Sequence, residues 1–234
     1  MRDTMLSDLE RESGLPVTGQ PDLSHELVVV FSTLELVGAG RSFDQRFAFV
    51  GPALQGRPQD VPFPWDALEP VPRILLSLGT VNAERGARFY RVAADALGDG
   101  PIQVVIVAPE ALAGTLPGNF LRRDYVPQLA LMPHVDAVIC HGGHNTTCEA
   151  LFHGKPLVIA PIKDDQPVVA DQVVGAGAGV RVKFGRVNAA GLRDAVRVIL
   201  EEPSYAAAAA RVGASFRAAG GAERAAQVLE RLAR

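Results

Sequence analysis

From residue 72 onward, short β-branched apolar runs alternate with longer alanine-rich stretches, and this alternation restricts the chain to few architectures. The order is RILLSLGT, NAERGARFYRVAADAL, PIQVVIVAP, a weaker GNFLRRDYVP, VDAVIC, NTTCEALFHG, KPLVIAP, DDQPVVADQVVGAG and GVRVK, with helix formers after Asn188. Strands that read as continuous apolar runs between helices indicate a parallel sheet covered on both faces. The expected fold class is α/β, a Rossmann-like parallel sheet flanked by helices. The last third should close the domain with two or three helices, broken at Pro203 and at Gly220-Gly221.

Residues 1–68 read differently. A polar start precedes one strongly β-prone run, HELVVVFST, then RFAFVGPAL and the stretch GPALQGRPQDVPFPWDALEPVP, in which five prolines fall between Pro58 and Pro72. We read residues 51–68 as an extended linker and residues 69–234 as the main domain. One apolar strand cannot cover its own faces or satisfy its own backbone, so residues 1–50 are expected to be mobile, to self-associate through residues 27–31, or to swap between copies.

A net charge of -3, with 21% charged and 48% hydrophobic residues, is the profile of an ordinary soluble protein and does not favour a nucleic-acid partner. No apolar run is long enough to span a bilayer, and MRDTMLSDLERESG is too polar for a signal peptide, so a cytoplasmic location is expected. The two cysteines, Cys140 and Cys148, are read as packing residues.

In an open α/β sheet ligands bind beyond the carboxyl ends of the strands. The loops SLGT (77–80), DYVPQ (124–128), HGGHNTT (141–147) and PIKDDQ (161–166) each follow an expected strand and should converge on one rim. In HGGHNTT the glycines allow close backbone approach, and a helix starting at Asn145 or Thr146 offers free N–H groups, which makes a phosphate seat. His141 would donate beside it. Glu149, one helical turn further on, would be aimed at a neutral hydroxyl pair such as the diol of a ribose.

The motifs SLGT, YVPQ, HGGHNTTCEALFHGKP, APIKDDQ and GGAERAAQVLERLA, in this order, resemble the C-terminal, donor-binding half of the UDP-glycosyltransferase superfamily, which has the GT-B fold. The likeness is greatest to bacterial macrolide and natural-product glycosyltransferases. It implies that the base stacks on Tyr125, pairs with the backbone of Val126, and has Gln128 near its ribose. It implies a diphosphate held by Thr80, His141, Gly143, Asn145 and Thr146, ribose hydroxyls on Glu149, and a donor sugar on Asp165 and Gln166. His144 and Asp164 depart from the family pattern and leave their own contacts and the donor sugar open. A ribonucleotide is favoured by Glu149, hence UDP over TDP. No cofactor or metal is implied, because the helix start and side-chain donors can carry the charge of the leaving diphosphate.

Simpler readings compete. Two histidines and a nearby thiol can bind zinc, but the helix-start glycines and Asn145 have no place in a closed metal site. Ser77, Thr80, Asp164 and Asp165 could merely cap helices, Tyr125 could be an edge aromatic, His153 a helix C-terminal residue and His134 a surface polar residue. GAGAG at 175–179 fails as a dinucleotide fingerprint because its third glycine would fall on Val180.

Sugar transfer with inversion needs a base near the acceptor hydroxyl. The resemblance places that base in an N-terminal half that this sequence lacks, and His25 is not in its context. Residues 1–50 are read as a remnant of that half. The expectation is thus a donor-binding half whose partners are a nucleotide sugar, a small-molecule acceptor and a missing N-terminal half. The alternatives are a non-catalytic nucleotide-sugar-binding module and a nucleotide-sugar epimerase.

Overall fold

The computed structural model describes residues 11–14, 24–38, 40–54, 61–79, 86–98, 100–113 and 115–232. Its main sheet has six strands: β3 (Arg73–Ser77), β4 (Gln103–Val107), β5 (Phe120–Arg123), β6 (Ala137–Cys140), β7 (Leu157–Ile159) and β8 (Gly179–Arg181). All neighbours pair in parallel in the order β5-β4-β3-β6-β7-β8. Each apolar run expected to be a strand forms one. The chain first winds outward from β3 to β5, then returns to β6 on the other side of β3. The strand order therefore reverses between β3 and β6, and a crevice opens there beyond the carboxyl ends.

Side chains alternate across the sheet, and both faces are buried. Leu75, Val138, Cys140, Leu157 and Ile159 point to one layer, formed by α5 (His144–Phe152), α6 (Gln166–Gly175) and α8 (Pro203–Ala219). Ile74, Leu76, Val104, Ile106, Ile139 and Val158 point to the other, formed by α2 (Ala87–Leu97) and α7 (Ala189–Glu201). Short helices α3 (Glu110–Ala113) and α4 (Gln128–Leu131) follow β4 and β5, and α9 (Gly221–Leu232) ends the described chain.

The breaks in the C-terminal helices have local causes. Asn188 caps α7 by accepting from the Gly191 N–H at 2.9 Å. Pro203 occupies the first turn of α8, where a missing N–H costs nothing, and Gly220 ends that helix at φ 91°, a left-handed conformation suited to glycine.

The lone-strand reading of the N-terminal segment is corrected. β1 (Val28–Val30) pairs in parallel with β2 (Phe47–Phe49), with α1 (Leu34–Val37) between them. The segment is fastened to the main domain. Leu36 is buried in the layer of α6 and α8, the Thr33 and Ser215 hydroxyls are 2.8 Å apart, and Arg211 Nε donates to Glu35 Oε1 at 2.7 Å. The Val50 carbonyl accepts from Gly221 N–H at 2.6 Å, which joins the segment to the start of α9. The two-stranded sheet remains only half covered, and Phe31 and Leu34 beside it are exposed.

The proline-rich stretch is not extended throughout. Trp65–Ala67 form a 3-10 turn, and Trp65 packs on Phe63 and on His134, whose ring is 5.1 Å away. Gln103, buried on β4, holds this turn by donating to the Ala67 carbonyl and accepting from Glu69 N–H.

Candidate nucleotide site

The crevice holds a cavity of about 550 Å³ lined by Ser77, Gly79, Val107, Ala108, Pro109, Asp124, Tyr125, Val126, Gln128 and Thr146. Small-molecule sites commonly have this size, and their usual place in an open parallel sheet is this switch point. Three of the loops expected to converge do line the cavity. The fourth, at 161–166, lies behind the Gly142 turn, with the Gln166 backbone packed against it.

The turn after β6 is built by its glycines. Gly142 has φ 85°, and a Cβ there would meet Ile159 Cγ2 at 3.0 Å. Gly143 is the N-cap of α5, which begins at His144, one residue before the earlier of the two expected starts. Its N-cap offers no side-chain oxygen, so the first-turn N–H groups of a nine-residue helix have no side-chain cap. A Cβ on Gly143 would stand 2.5 Å from His141 Nε2, and one on Gly79 2.8 Å from His141 Cε1. The imidazole is thus clasped between two loops that can hold it only as glycines.

His141 Nδ1 is buried and makes no hydrogen bond of normal geometry among the described residues. Burial lowers the pKa of this histidine, opposed by the negative charge of Asp165 and by the Ser77 backbone. The ring is therefore neutral at physiological pH and can both donate and accept. An anion at the helix start would meet backbone N–H groups, a positive dipole end and an imidazole without any bound metal.

Glu149 is only 5% exposed, and its Oε2 accepts from Gln128 Nε2 at 2.5 Å. The same amide lies 3.2 Å from Thr146 Oγ1. Helix α5 places Thr146 and Glu149 one turn apart, and α4 brings Gln128 across to both. Tyr125, 64% exposed, and Val126 stand at the cavity wall. Asn145 is exposed on the first turn of α5. Asp165 is exposed at the start of α6, and Gln166 beside it is buried. Thr80 lies outside the described residues.

The remaining histidines have plain roles. His144 faces the N-terminal segment, with Nε2 3.1 Å from the Phe31 carbonyl and 3.4 Å from Cys148 Sγ. His153 is the C-cap of α5. Among the described residues no group of three or more His, Cys, Asp or Glu could hold a metal ion. Cys140 is buried, and burial pushes its thiol up to about 11.

Sequence reasoning passed over the loop after β4. Ala108 and Pro109 line the cavity, and Arg122 joins their loop to the next by donating to the Ala108 carbonyl at 3.0 Å and to Asp124 at 2.9 Å. Its position after a strand was the available signal; it carries no polar motif.

A parallel sheet in this order, with a helix start that has no side-chain cap and a buried carboxylate at its switch point, defines a Rossmann-like class of α/β protein. The sequence profile of the UDP-glucoronosyl and UDP-glucosyl transferase family matches residues 71–216, and the chain belongs to that family. It is 32% identical over 206 residues to the uncharacterized UDP-glucosyltransferase YojK of Bacillus subtilis, covering 86% of this chain and 50% of the relative. It is 33% identical to the demethyllactenocin mycarosyltransferase of Streptomyces fradiae, covering 83% and 42%. Among solved structures, the glycotransferase of kitacinnamycin superposes with a TM-score of 0.81 at 28% identity, over 98% of this chain and 61% of that one. The calicheamicin glycosyltransferase CalG4 gives 0.78 at 29% identity, over 97% and 57%. The chain spans about half the length of the curated relatives it matches.

Among the described residues no helix is long and apolar enough to cross a membrane.

Proposed function

We propose that this chain supplies the donor-binding half of an inverting, metal-independent glycosyltransferase that moves a sugar from UDP to a hydroxyl of a small-molecule acceptor. The observation that carries the reading is the single rim on which the Gly142-Gly143 turn, the start of α5, and the Gln128 and Glu149 pair meet. Family membership and the names of the relatives, a UDP-glucosyltransferase and a mycarosyltransferase among them, support it.

In this reading the base lies on Tyr125 and against the Val126 backbone, and the ribose diol donates to Glu149. The diphosphate is assigned to Gly143, Asn145, Thr146 and His141, and to Thr80 by its motif alone. Asp165 and Gln166 take the sugar. As the glycosidic bond breaks, negative charge grows on the diphosphate, where the helix start and the neutral imidazole stabilise it. The base that deprotonates the acceptor is assigned to a complementary N-terminal half. The half-covered sheet of β1 and β2, with Phe31 and Leu34 exposed, offers that half a place to dock, and a second copy of the chain is the other occupant.

An activity assay tests the division of labour. The chain by itself, given a UDP-sugar and a panel of phenolic and aliphatic alcohols, should transfer none. Transfer by the chain alone would show that it carries its own base and overturn the assignment.

A further inference from the structure

Gln166 is 5% exposed, and its side-chain oxygen is already occupied. Oε1 accepts from Ile162 N–H at 2.9 Å and from Lys163 N–H at 3.1 Å. Two facing backbone N–H groups can be met only by the amide oxygen, so the orientation of this amide is fixed by chemistry. The turn it closes contains Asp164 at φ 57°, the only positive-φ residue other than glycine among the described residues. Asp tolerates that left-handed conformation better than most residues but still needs surrounding contacts to hold it. Gln166 also abuts the phosphate turn: a Cβ on Gly142 would lie 3.1 Å from its carbonyl oxygen and 3.6 Å from its Cβ.

Building on the donor-site reading above, we infer that Gln166 is a positioning residue that pins the loop bearing Asp164 and Asp165 against the Gly142 phosphate turn. Its Nε2 has no hydrogen-bond partner among the described residues and is the only polar atom of the side chain left for a ligand. Any sugar group it recognises must therefore present an oxygen that accepts. Because the loop and the phosphate turn are held as one unit, losing the amide weakens binding of a nucleotide that carries no sugar at all. A residue that only touched the sugar would leave such binding unchanged.

Two variants of similar volume separate these roles: Gln166→Met removes both the acceptor and the donor, and Gln166→Glu keeps the acceptor. Amide hydrogen exchange at Ile162 and Lys163 is measured without ligand, and UDP affinity by calorimetry. In Gln166→Met both amides should exchange at least about tenfold faster, while Gln166→Glu keeps them protected. UDP affinity should fall about fivefold or more in Gln166→Met. Native exchange in Gln166→Met, or faster exchange with native UDP affinity, overturns the inference. If Gln166→Met fails to fold, protected amides in Gln166→Glu support the pinning and exposed ones overturn it. If the unaltered chain binds no UDP, the donor-site reading fails, and the exchange data still decide whether the amide pins the loop.

Discussion

Gln128 and Glu149 come from two different helices, α4 and α5, yet the amide nitrogen of one lies 2.5 Å from a carboxylate oxygen of the other. A carboxylate so buried needs donors, and this one holds the acceptor in place before a ligand arrives. Glu149→Ala should weaken UDP binding by about 1.5 to 3 kcal/mol, the range of a hydrogen bond to a charged group. Gln128→Ala should act in the same direction by freeing the carboxylate. Calorimetry checks both, and unchanged affinity in Glu149→Ala would remove the ribose from this carboxylate.

Gly143→Ala tests the clasp around His141. The backbone at Gly143 has φ -61°, which any residue adopts, so the whole effect comes from the Cβ meeting the imidazole 2.5 Å away. The ring must move, and the variant should lose UDP affinity by about tenfold or more while keeping its helical circular dichroism, a loss of about 1.4 kcal/mol. Native affinity would mean that the ring takes no part in binding.

The buried imidazole also makes stability depend on pH. Burial lowers the pKa of His141 below the ordinary 6.5, and that of His153 likewise. Well above pH 6.5 neither the folded nor the unfolded chain binds these protons, and stability is full. As pH falls below 6.5 the unfolded chain takes up protons that the folded chain refuses, so stability drops until the lowered pKa values are passed. Urea denaturation between pH 7.5 and 5 should show this fall, and His141→Gln should show a smaller one. An identical slope in the variant would contradict the burial argument.

The docking of the N-terminal segment rests on packing more than on charge. Leu36→Ala should destabilise the protein by about 2 to 5 kcal/mol, because the side chain is 1% exposed in the core layer. Arg211→Ala removes an exposed ion pair with Glu35 and should cost about 1 kcal/mol or less. Chemical denaturation checks the ranking. A loss of similar size in both would mean that the segment is held by electrostatics.

Much of the fold was legible because its strands are buried on both faces and so read as unbroken apolar runs. Val28–Val30 was legible in HELVVVFST, but its partner Phe47–Phe49 was not, because RFAFVGPAL has a single β-branched residue and runs straight into the proline-rich stretch. The start of α5 was placed on Asn145 or Thr146 by cap chemistry, whereas Gly142 turns the chain early and Gly143 caps the helix with its backbone alone. The rim itself followed from the position of these loops after expected strands, and those at 77–79, 124–128 and 141–147 reach the cavity. Contacts made by a side chain to a distant backbone group were invisible. The spacing of PIKDDQ does not reveal that Gln166 spends its oxygen on Ile162 and Lys163, nor does HGGH reveal that His144 turns to Phe31.

The central claim is that this rim binds a uridine diphosphate through Glu149 and the start of α5. Titration of the purified chain with UDP and with deoxyribose TDP, without metal, tests it most directly. UDP should bind measurably and more tightly than TDP, because only its ribose carries the 2′-hydroxyl that Glu149 accepts from. No measurable binding of UDP would contradict the account.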